Sequence, residues 1–121
     1  MCIRDRYHIL LVEDDEDIAE LLTLKLSSWG YQASHCTNGH ECIKWMSENQ
    51  PDLILMDLSM PVMNGEDTLK YLRKTGHDMP VYIMSAKPLE EGSIIDSQGQ
   101  LLKPVDFDVL NKFLRDCVSS L

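Results

Sequence analysis

The stretch "PDLILMDLSMPVMNG", residues 51–65, decides the fold of this chain. Its segment 53–56 is apolar at every position, which is typical of a parallel strand buried on both faces. The segment ends on a carboxylate, Asp57, and then breaks into a loop marked by Pro61 and Gly65. Because a buried carboxylate is costly unless another group pairs with it, Asp57 either caps a turn or lies in a pocket that uses it.

Amphipathic segments that predict helices follow the short apolar runs. The first helix ends at Gly30, and Asn38 with Glu41 three residues later begins the second. The third covers 65–74 and stops at Gly76, and Asp106 caps the last. Apolar side chains recur at helical spacing in the first and last helices. They are Ile18, Leu21, Leu22, Leu26 and Trp29 in the first, and Leu110, Phe113, Leu114 and Cys117 in the last.

Five short apolar segments predict strands over 8–12, 31–36, 52–56, 80–84 and 99–102. Strands that alternate with helices form a parallel sheet covered on both faces. In such a sheet the functional crevice lies beyond the carboxyl ends of the strands, where polar side chains should converge. The residues at these ends are Glu13, Asp14 and Asp15 after the first strand, Asp57 after the third, Ser85 after the fourth and Lys103 after the fifth.

Crowded carboxylates raise one another's pKa unless a cation lies between them. Oxygen ligands of this kind suit Mg²⁺, which often shares its site with phosphate. Lys103 would add a second positive charge and Ser85 a hydroxyl donor, so the set predicts phosphoryl transfer with Asp57 as nucleophile. Each residue alone has an ordinary interpretation, such as a helix-start acid or a surface lysine. Their coincidence at one edge favours the functional one.

The composition restricts the classes of partner. The chain has 121 residues and a formal net charge of −9, which suits one acidic domain and disfavours direct binding to nucleic acid or an anionic membrane. No apolar run approaches the roughly 20 residues of a membrane helix, and the first residues do not resemble a secretory signal. We expect a cytoplasmic protein in which 1–6 is a disordered leader or an artefact and 7–121 is the domain.

The four cysteines form no CxxC pair, which favours reduced thiols. The segment "HCTNGHEC", residues 35–42, concentrates histidine and cysteine, but its spacing matches no standard zinc site. Buried or half-buried thiols are therefore the expected interpretation.

The sequence resembles the receiver domain of bacterial two-component response regulators from residue 7 to about residue 119. Four segments carry the resemblance in order: "ILLVEDDEDI" (9–18), "DLILMDLSMPVMNG" (52–65), "VYIMSA" (81–86) and "LLKP" (101–104). The resemblance implies a flavodoxin-like, doubly wound α/β fold with a five-stranded parallel sheet in the order 2-1-3-4-5. It also implies phosphorelay signalling.

By position, the resemblance implies that Asp57 accepts phosphate from the phosphohistidine of a sensor histidine kinase or a phosphotransfer protein. Asp14 and Asp57 would bind Mg²⁺ through their carboxylates and Ser59 through its backbone carbonyl. Glu13 would act through a bound water.

The resemblance further implies that Lys103 holds a phosphate oxygen, that Ser85 hydrogen-bonds the phosphoryl group and that the small Ala86 leaves its approach open. Two features depart from the family pattern. Gln100 stands where an aromatic switch residue is usual, and an amide cannot replace that ring by apolar packing. The crossover 87–99 is shorter than usual, so the fourth helix of the family fold is expected to be short.

The predicted function is a phosphoacceptor that relays its signal through protein contacts to an unidentified protein target, without substrate turnover of its own. It could be a stand-alone regulator, a phosphate shuttle, or part of a larger regulator or hybrid kinase. One alternative is a pseudo-receiver, an interaction module that does not use phosphate. Gln100 and the short crossover slightly favour it, but the complete set of site residues disfavours it: Glu13, Asp14, Asp57, Ser85 and Lys103. Another is a hydrolase with an aspartyl-phosphate intermediate, which Ser59 disfavours because a second acid would be expected at that position.

Overall fold

The structure is a computed structural model that describes residues 7–58, 65–86 and 99–119. The expected leader 1–6, Ser59 and the crossover residues 87–98 lie outside the described residues, so the predictions made for them stay predictions. None of the helices in the described part of the chain is both long and apolar enough to cross a membrane.

The described residues alternate between strands and helices, as predicted. The strands are β1 (His8–Val12), β2 (Gln32–Cys36), β3 (Leu53–Asp57), β4 (Val81–Ser85) and β5 (Gly99–Leu102). The helices are α1 (Glu16–Ser28), α2 (Gly39–Met46), α3 (Gly65–Lys74) and α4 (Phe107–Ser119).

The five strands form one parallel sheet in the order β2-β1-β3-β4-β5. This confirms the flavodoxin-like order 2-1-3-4-5. The bounds of β3 and β4 are each one residue later than predicted. Asp57 and Ser85 are therefore the last residues of their strands, so the sheet's own backbone hydrogen bonds fix their positions.

Alternating side chains along the strands build a separate core on each face of the sheet. The first face packs against α1 and α4, and it includes Ile9, Leu11, Leu53, Leu55, Met84, Leu101, Leu22, Leu26, Leu110 and Leu114. The second packs against α2 and α3, and it includes Leu10, Val12, Ile54, Met56, Val81, Ile83, Cys42, Met46, Leu69 and Leu72. Burial of Cys36 and Cys42 confirms that these cysteines are core thiols.

Three side chains cap helices where the sequence predicts or allows it. Asp15 accepts hydrogen bonds from two backbone amides of the first turn of α1, and Asn38 accepts one from the Glu41 amide in α2. Asp106 accepts two from the first turn of α4. Each cap satisfies amides that the helix leaves without an internal partner.

Not every apolar residue at helical spacing in the first helix lies in the core. Leu21 is 53% exposed, whereas Ala19, Leu22 and Leu26 are buried. Adjacent helical residues are about 100° apart around the axis, so Leu21 and Leu22 cannot both face a narrow core stripe.

Candidate functional site

An ammonium group lies between two buried carboxylates at the carboxyl edge of the sheet. Lys103 Nζ is 3.0 Å from Asp57 Oδ2 and 3.1 Å from Glu13 Oε1. Glu13 is 0% exposed and Asp57 2%, whereas the Lys103 side chain keeps 23% of its surface exposed. The predicted convergence of these three residues is therefore confirmed in space.

Strand alternation explains why these three side chains meet. Glu13 follows β1, Asp57 ends β3 and Lys103 follows β5. Residues two apart on a strand face the same side of the sheet. The residues two positions earlier all belong to the first core face: Leu11, Leu55 and Leu101. All three site side chains therefore lie on that face. Because β4 separates β3 from β5, the long lysine side chain crosses β4 to reach Asp57.

The backbone of Glu13 is fixed from β2. Its amide donates to the Cys36 carbonyl at 3.0 Å, and its carbonyl accepts from His35 Nε2 at 2.8 Å. On the side chain, Oε2 accepts from the Asp15 amide at 3.2 Å. Glu13 is thereby held with its carboxylate turned into the site.

Burial and the neighbouring charges both shift the pKa values in this pocket. Burial, followed by the adjacent Asp57 carboxyl, raises the pKa of Glu13 to about 7, although Lys103 acts against this. For Lys103, burial acts to lower the pKa, but the Asp57 and Glu13 carboxylates outweigh burial and raise it overall. The lysine is therefore the stably charged member of the group.

The site fits a hard divalent cation. One carboxylate oxygen each from Glu13, Asp14 and Asp57 lies within 4.8 Å of the others, with Asp14 at the exposed rim. Glu13 Oε1 is buried and receives no hydrogen bond of good geometry from the described residues. An all-oxygen set of carboxylates, of which Glu13 Oε1 is held by charge and not by a directional hydrogen bond, suits Mg²⁺ or a similar ion.

A hydroxyl and an amide lie beside this group, at the end of β4. Ser85 is buried, and its Oγ accepts a hydrogen bond from Gln100 Nε2 at 2.7 Å. The Ser85 carbonyl accepts from the Lys103 amide at 2.8 Å, which ties the two strand ends together. Ala86, next in the chain, is exposed.

Asp15 is the one predicted strand-end residue that does not join the carboxylate group. Its side chain caps α1 instead, which agrees with its interpretation as a helix-start acid. Ser59 lies outside the described residues.

Two residues that frame the site were not predicted. Gly65 begins α3, and a Cβ there would lie 2.5 Å from the Asp57 carbonyl oxygen and 2.8 Å from Leu58 Cα. Only glycine permits this close approach. His35 belongs to the segment 35–42, whose composition points only to a zinc site or core thiols, but it contacts the backbone of Glu13. Its spacing from Glu13 in the sequence carries no signal, because the contact depends on the pairing of β1 with β2.

Comparison with curated proteins finds relatives among transcriptional regulators. The chain is similar to transcriptional regulatory protein ZraR of Salmonella typhimurium, with 31% identity over 97% of this chain and 27% of that protein. It is similar to transcriptional regulatory protein GlrR of Escherichia coli, with 35% identity over 92% of this chain and 26% of that protein. The chain thus spans about a quarter of the length of these relatives.

Solved structures share the whole fold. The receiver domain of Francisella response regulator 1452 superposes with a TM-score of 0.88 at 28% identity, covering 95% of this chain and 98% of that one. Response regulator protein TrrA of Thermotoga maritima, in complex with Mg²⁺ and BeF, superposes with a TM-score of 0.83 at 26% identity, covering 91% and 97%. The model of the response regulator receiver domain family matches residues 9–115, which include Glu13, Asp57 and Lys103. The chain therefore belongs to the response regulator receiver domain family.

Proposed function

We propose that this domain accepts a phosphoryl group on Asp57 from the phosphohistidine of a histidine kinase or phosphotransfer protein in the cytoplasm. The signal then passes to a downstream protein through protein contacts. The observation that carries the proposal is Lys103 Nζ between the buried carboxylates of Asp57 and Glu13. Membership of the receiver family supports it.

The chemical step is a displacement at phosphorus. A carboxylate oxygen of Asp57 attacks, the new O–P bond forms, and the N–P bond of the donor phosphohistidine breaks as the imidazole nitrogen leaves with the bonding electron pair. Lys103 holds Asp57 at 3.0 Å and offsets part of the repulsion between the carboxylates and the incoming phosphoryl oxygens. The lysine stays charged because its pKa is raised.

Asp14 and Asp57 would hold Mg²⁺ directly and Glu13 through a water, and the family resemblance adds the backbone carbonyl of Ser59. When bound, Mg²⁺ would supply charge neutralisation for the phosphoryl oxygens. The compact group of three carboxylates supports this assignment. The complex of the similar TrrA protein with Mg²⁺ and BeF supports it as well.

Ser85 and Ala86 complete the proposed site. The Ser85 hydroxyl can donate a hydrogen bond to a phosphoryl oxygen once the group is on Asp57. The exposed methyl group of Ala86 leaves space for the donor to approach at this edge.

Intact-mass measurement after incubation with a small acyl phosphate tests the proposal. We expect the wild-type chain to gain one phosphoryl group with Mg²⁺ and little without it, and Asp57→Asn to gain none. Asp52→Asn is the matched control. Asp52 directly precedes β3, at the end of the strand opposite to Asp57, and its carboxylate accepts a hydrogen bond from the His8 amide. Phosphorylation of Asp57→Asn to the wild-type extent would place the acceptor elsewhere.

A phosphate-independent interaction module is the second candidate. The hydrogen bond from Gln100 to Ser85 favours it, because it engages the hydroxyl that the phosphoryl group would need. The same experiment separates the two functions, since a pseudo-receiver gains no phosphoryl group under any condition. A hydrolase would instead consume the acyl phosphate in many-fold excess over protein.

A further inference from the structure

The position of Gln100 follows from strand pairing. In the register of β4 with β5, Gln100 is opposite Ile83 and Leu102 is opposite Ser85. Residues two apart on a strand share a face, so Gln100 reaches Ser85 along one face of the sheet. The resulting distance from Gln100 Nε2 to Ser85 Oγ is 2.7 Å.

That face is not the one that carries the charged group. Ile83 belongs to the second core, whereas Leu101 and Met84 belong to the first. Lys103 continues the alternation of Leu101 and reaches Asp57 on the first face. The segment 100–103 therefore contacts Asp57 on the first face through Lys103, and it contacts Ser85 on the second face through Gln100.

A serine hydroxyl has one oxygen, whose position is set by rotation about χ1 among staggered rotamers. While Oγ accepts from Gln100 it is directed to the second face. The Gln100 bond leaves the hydroxyl proton free to donate, so what opposes donation to a phosphoryl oxygen is the position of Oγ. Because the Asp57 carboxylate contacts Lys103 on the first face, we expect Oγ to reach a phosphoryl oxygen there by turning about χ1, which would move it out of hydrogen-bond distance from the amide.

We propose that Gln100 is a positioning residue that holds the Ser85 hydroxyl on the second face, so that a phosphoryl group on Asp57 must displace this hydrogen bond to engage Ser85. The inference rests on the proposed function of Asp57. It gives this domain a polar lock at the position where the family resemblance leads us to expect an aromatic ring.

If Gln100 holds Ser85 in this way, removing the Gln100 amide should tighten the binding of beryllofluoride with Mg²⁺, a mimic of the phosphoryl group. Gln100→Met keeps the side-chain length and removes the amide, so Ser85 turns without breaking the hydrogen bond from Gln100. We expect about two- to tenfold tighter binding, the range that corresponds to one net hydrogen bond. In a Ser85→Ala background the same substitution should change the affinity by less than about twofold, because the coupled partner is gone.

Calorimetric titration of the full chain measures these affinities in wild type, both single variants and the double variant. Leu102→Met is the matched control, because Leu102 lies on the same face of β5, is exposed and contacts the site through no hydrogen bond that the structure describes. Its affinity should equal that of wild type. Thermal unfolding of each variant checks that the fold is intact.

A second measurement needs no variant to bind. The side-chain amide signals of Gln100 in a nitrogen–proton correlation spectrum are identified by their absence in Gln100→Met. We expect them to shift in wild type when beryllofluoride and Mg²⁺ are added together.

The outcomes separate the inference from the proposed function. If wild type does not bind the mimic, or Asp57→Asn binds it equally well, the proposed function fails and the inference with it. If wild type binds through Asp57 but Gln100→Met binds equally or more weakly, the inference alone is overturned. The inference would also be overturned if Gln100→Met tightened binding of the mimic equally in the wild-type and Ser85→Ala backgrounds. Gln100 amide signals that do not shift on binding would overturn it as well.

Discussion

Glu13 Oε1 lies 3.1 Å from Lys103 Nζ, yet it receives no hydrogen bond of good geometry from the described residues. The directional hydrogen bond of the ammonium goes to Asp57 at 3.0 Å. One positive charge therefore serves two buried carboxylates, and the pocket keeps an excess of negative charge. Removing the positive charge should therefore lower the free energy of unfolding, and removing a negative charge should raise it.

Lys103→Met should destabilise the fold. It leaves Glu13 and Asp57 buried beside each other without their cation, at an expected cost on the order of 2–4 kcal/mol, since Lys103 is only partly buried. Urea unfolding at pH 8 in the absence of divalent cations measures this cost. Lys70→Met, which breaks the exposed pair with Glu66, is the control and should cost less than about 1 kcal/mol. Equal costs in the two variants would show that the site lysine does not stabilise the carboxylates.

Glu13→Gln should stabilise the fold when no divalent cation is present. The raised pKa of Glu13, caused first by burial, means that its ionised form is unfavourable in the folded state. We expect a gain of about 2 kcal/mol at pH 8 in EDTA, measured by urea unfolding. Adding Mg²⁺ should stabilise wild type more than the variant, because the variant lacks one carboxylate.

Glu48→Gln, an exposed carboxylate beyond α2, is the control for Glu13→Gln and should change stability little. A Glu13→Gln protein that is less stable than wild type in EDTA would contradict the charge imbalance.

Gly65→Ala should damage both the fold and the site. The added Cβ would lie 2.5 Å from the Asp57 carbonyl oxygen and 2.8 Å from Leu58 Cα, and both are backbone atoms that cannot move independently. We expect a loss of about 1–3 kcal/mol in urea unfolding, with weaker beryllofluoride binding because Asp57 is displaced.

Gly76→Ala provides the comparison for Gly65→Ala. Gly76 has φ +94° but no atom near its Cβ position, so the alanine is strained without pushing on the site. It should lose stability and keep its affinity for beryllofluoride. If Gly65→Ala also keeps that affinity, the close approach to Asp57 does not position the carboxylate.

Most of the fold was predictable because its signals are local. The apolar run of β1 and the Asp106 cap of α4 each depend on neighbouring residues, and both are confirmed. Even the one-residue shift at β3 left Asp57 at the carboxyl edge. Spacing alone does not distinguish which apolar residues lie at the centre of a helix face, and Leu21 is exposed while Leu22 is buried.

Relationships between distant residues could not be read in the same way. That Glu13 and Lys103 lie at one edge follows from strand order, but that Glu13 Oε1 lacks a good hydrogen bond depends on side-chain angles. The Gln100 hydrogen bond requires the exact register of β4 with β5, which no local pattern specifies. The sequence marks Gln100 as unusual but does not indicate what it contacts.

The core thiols should make the protein lose stability at alkaline pH. Burial, as the largest cause, raises the pKa of Cys42 to about 12 and that of Cys36 to about 11 from the ordinary thiol value of 9.0. As the pH rises from 9 to 11 the unfolded chain loses these protons first, so it binds fewer protons than the folded state. The free energy of unfolding should fall by up to about 1.4 kcal/mol per pH unit for each thiol.

Urea unfolding at several pH values measures this slope, and Cys42→Ala should make it shallower. Met46→Ala removes a buried side chain from the same helix but no thiol, so it should lower stability and leave the slope unchanged. Equal slopes in wild type and Cys42→Ala would show that the Cys42 thiol is not protected from ionisation by burial.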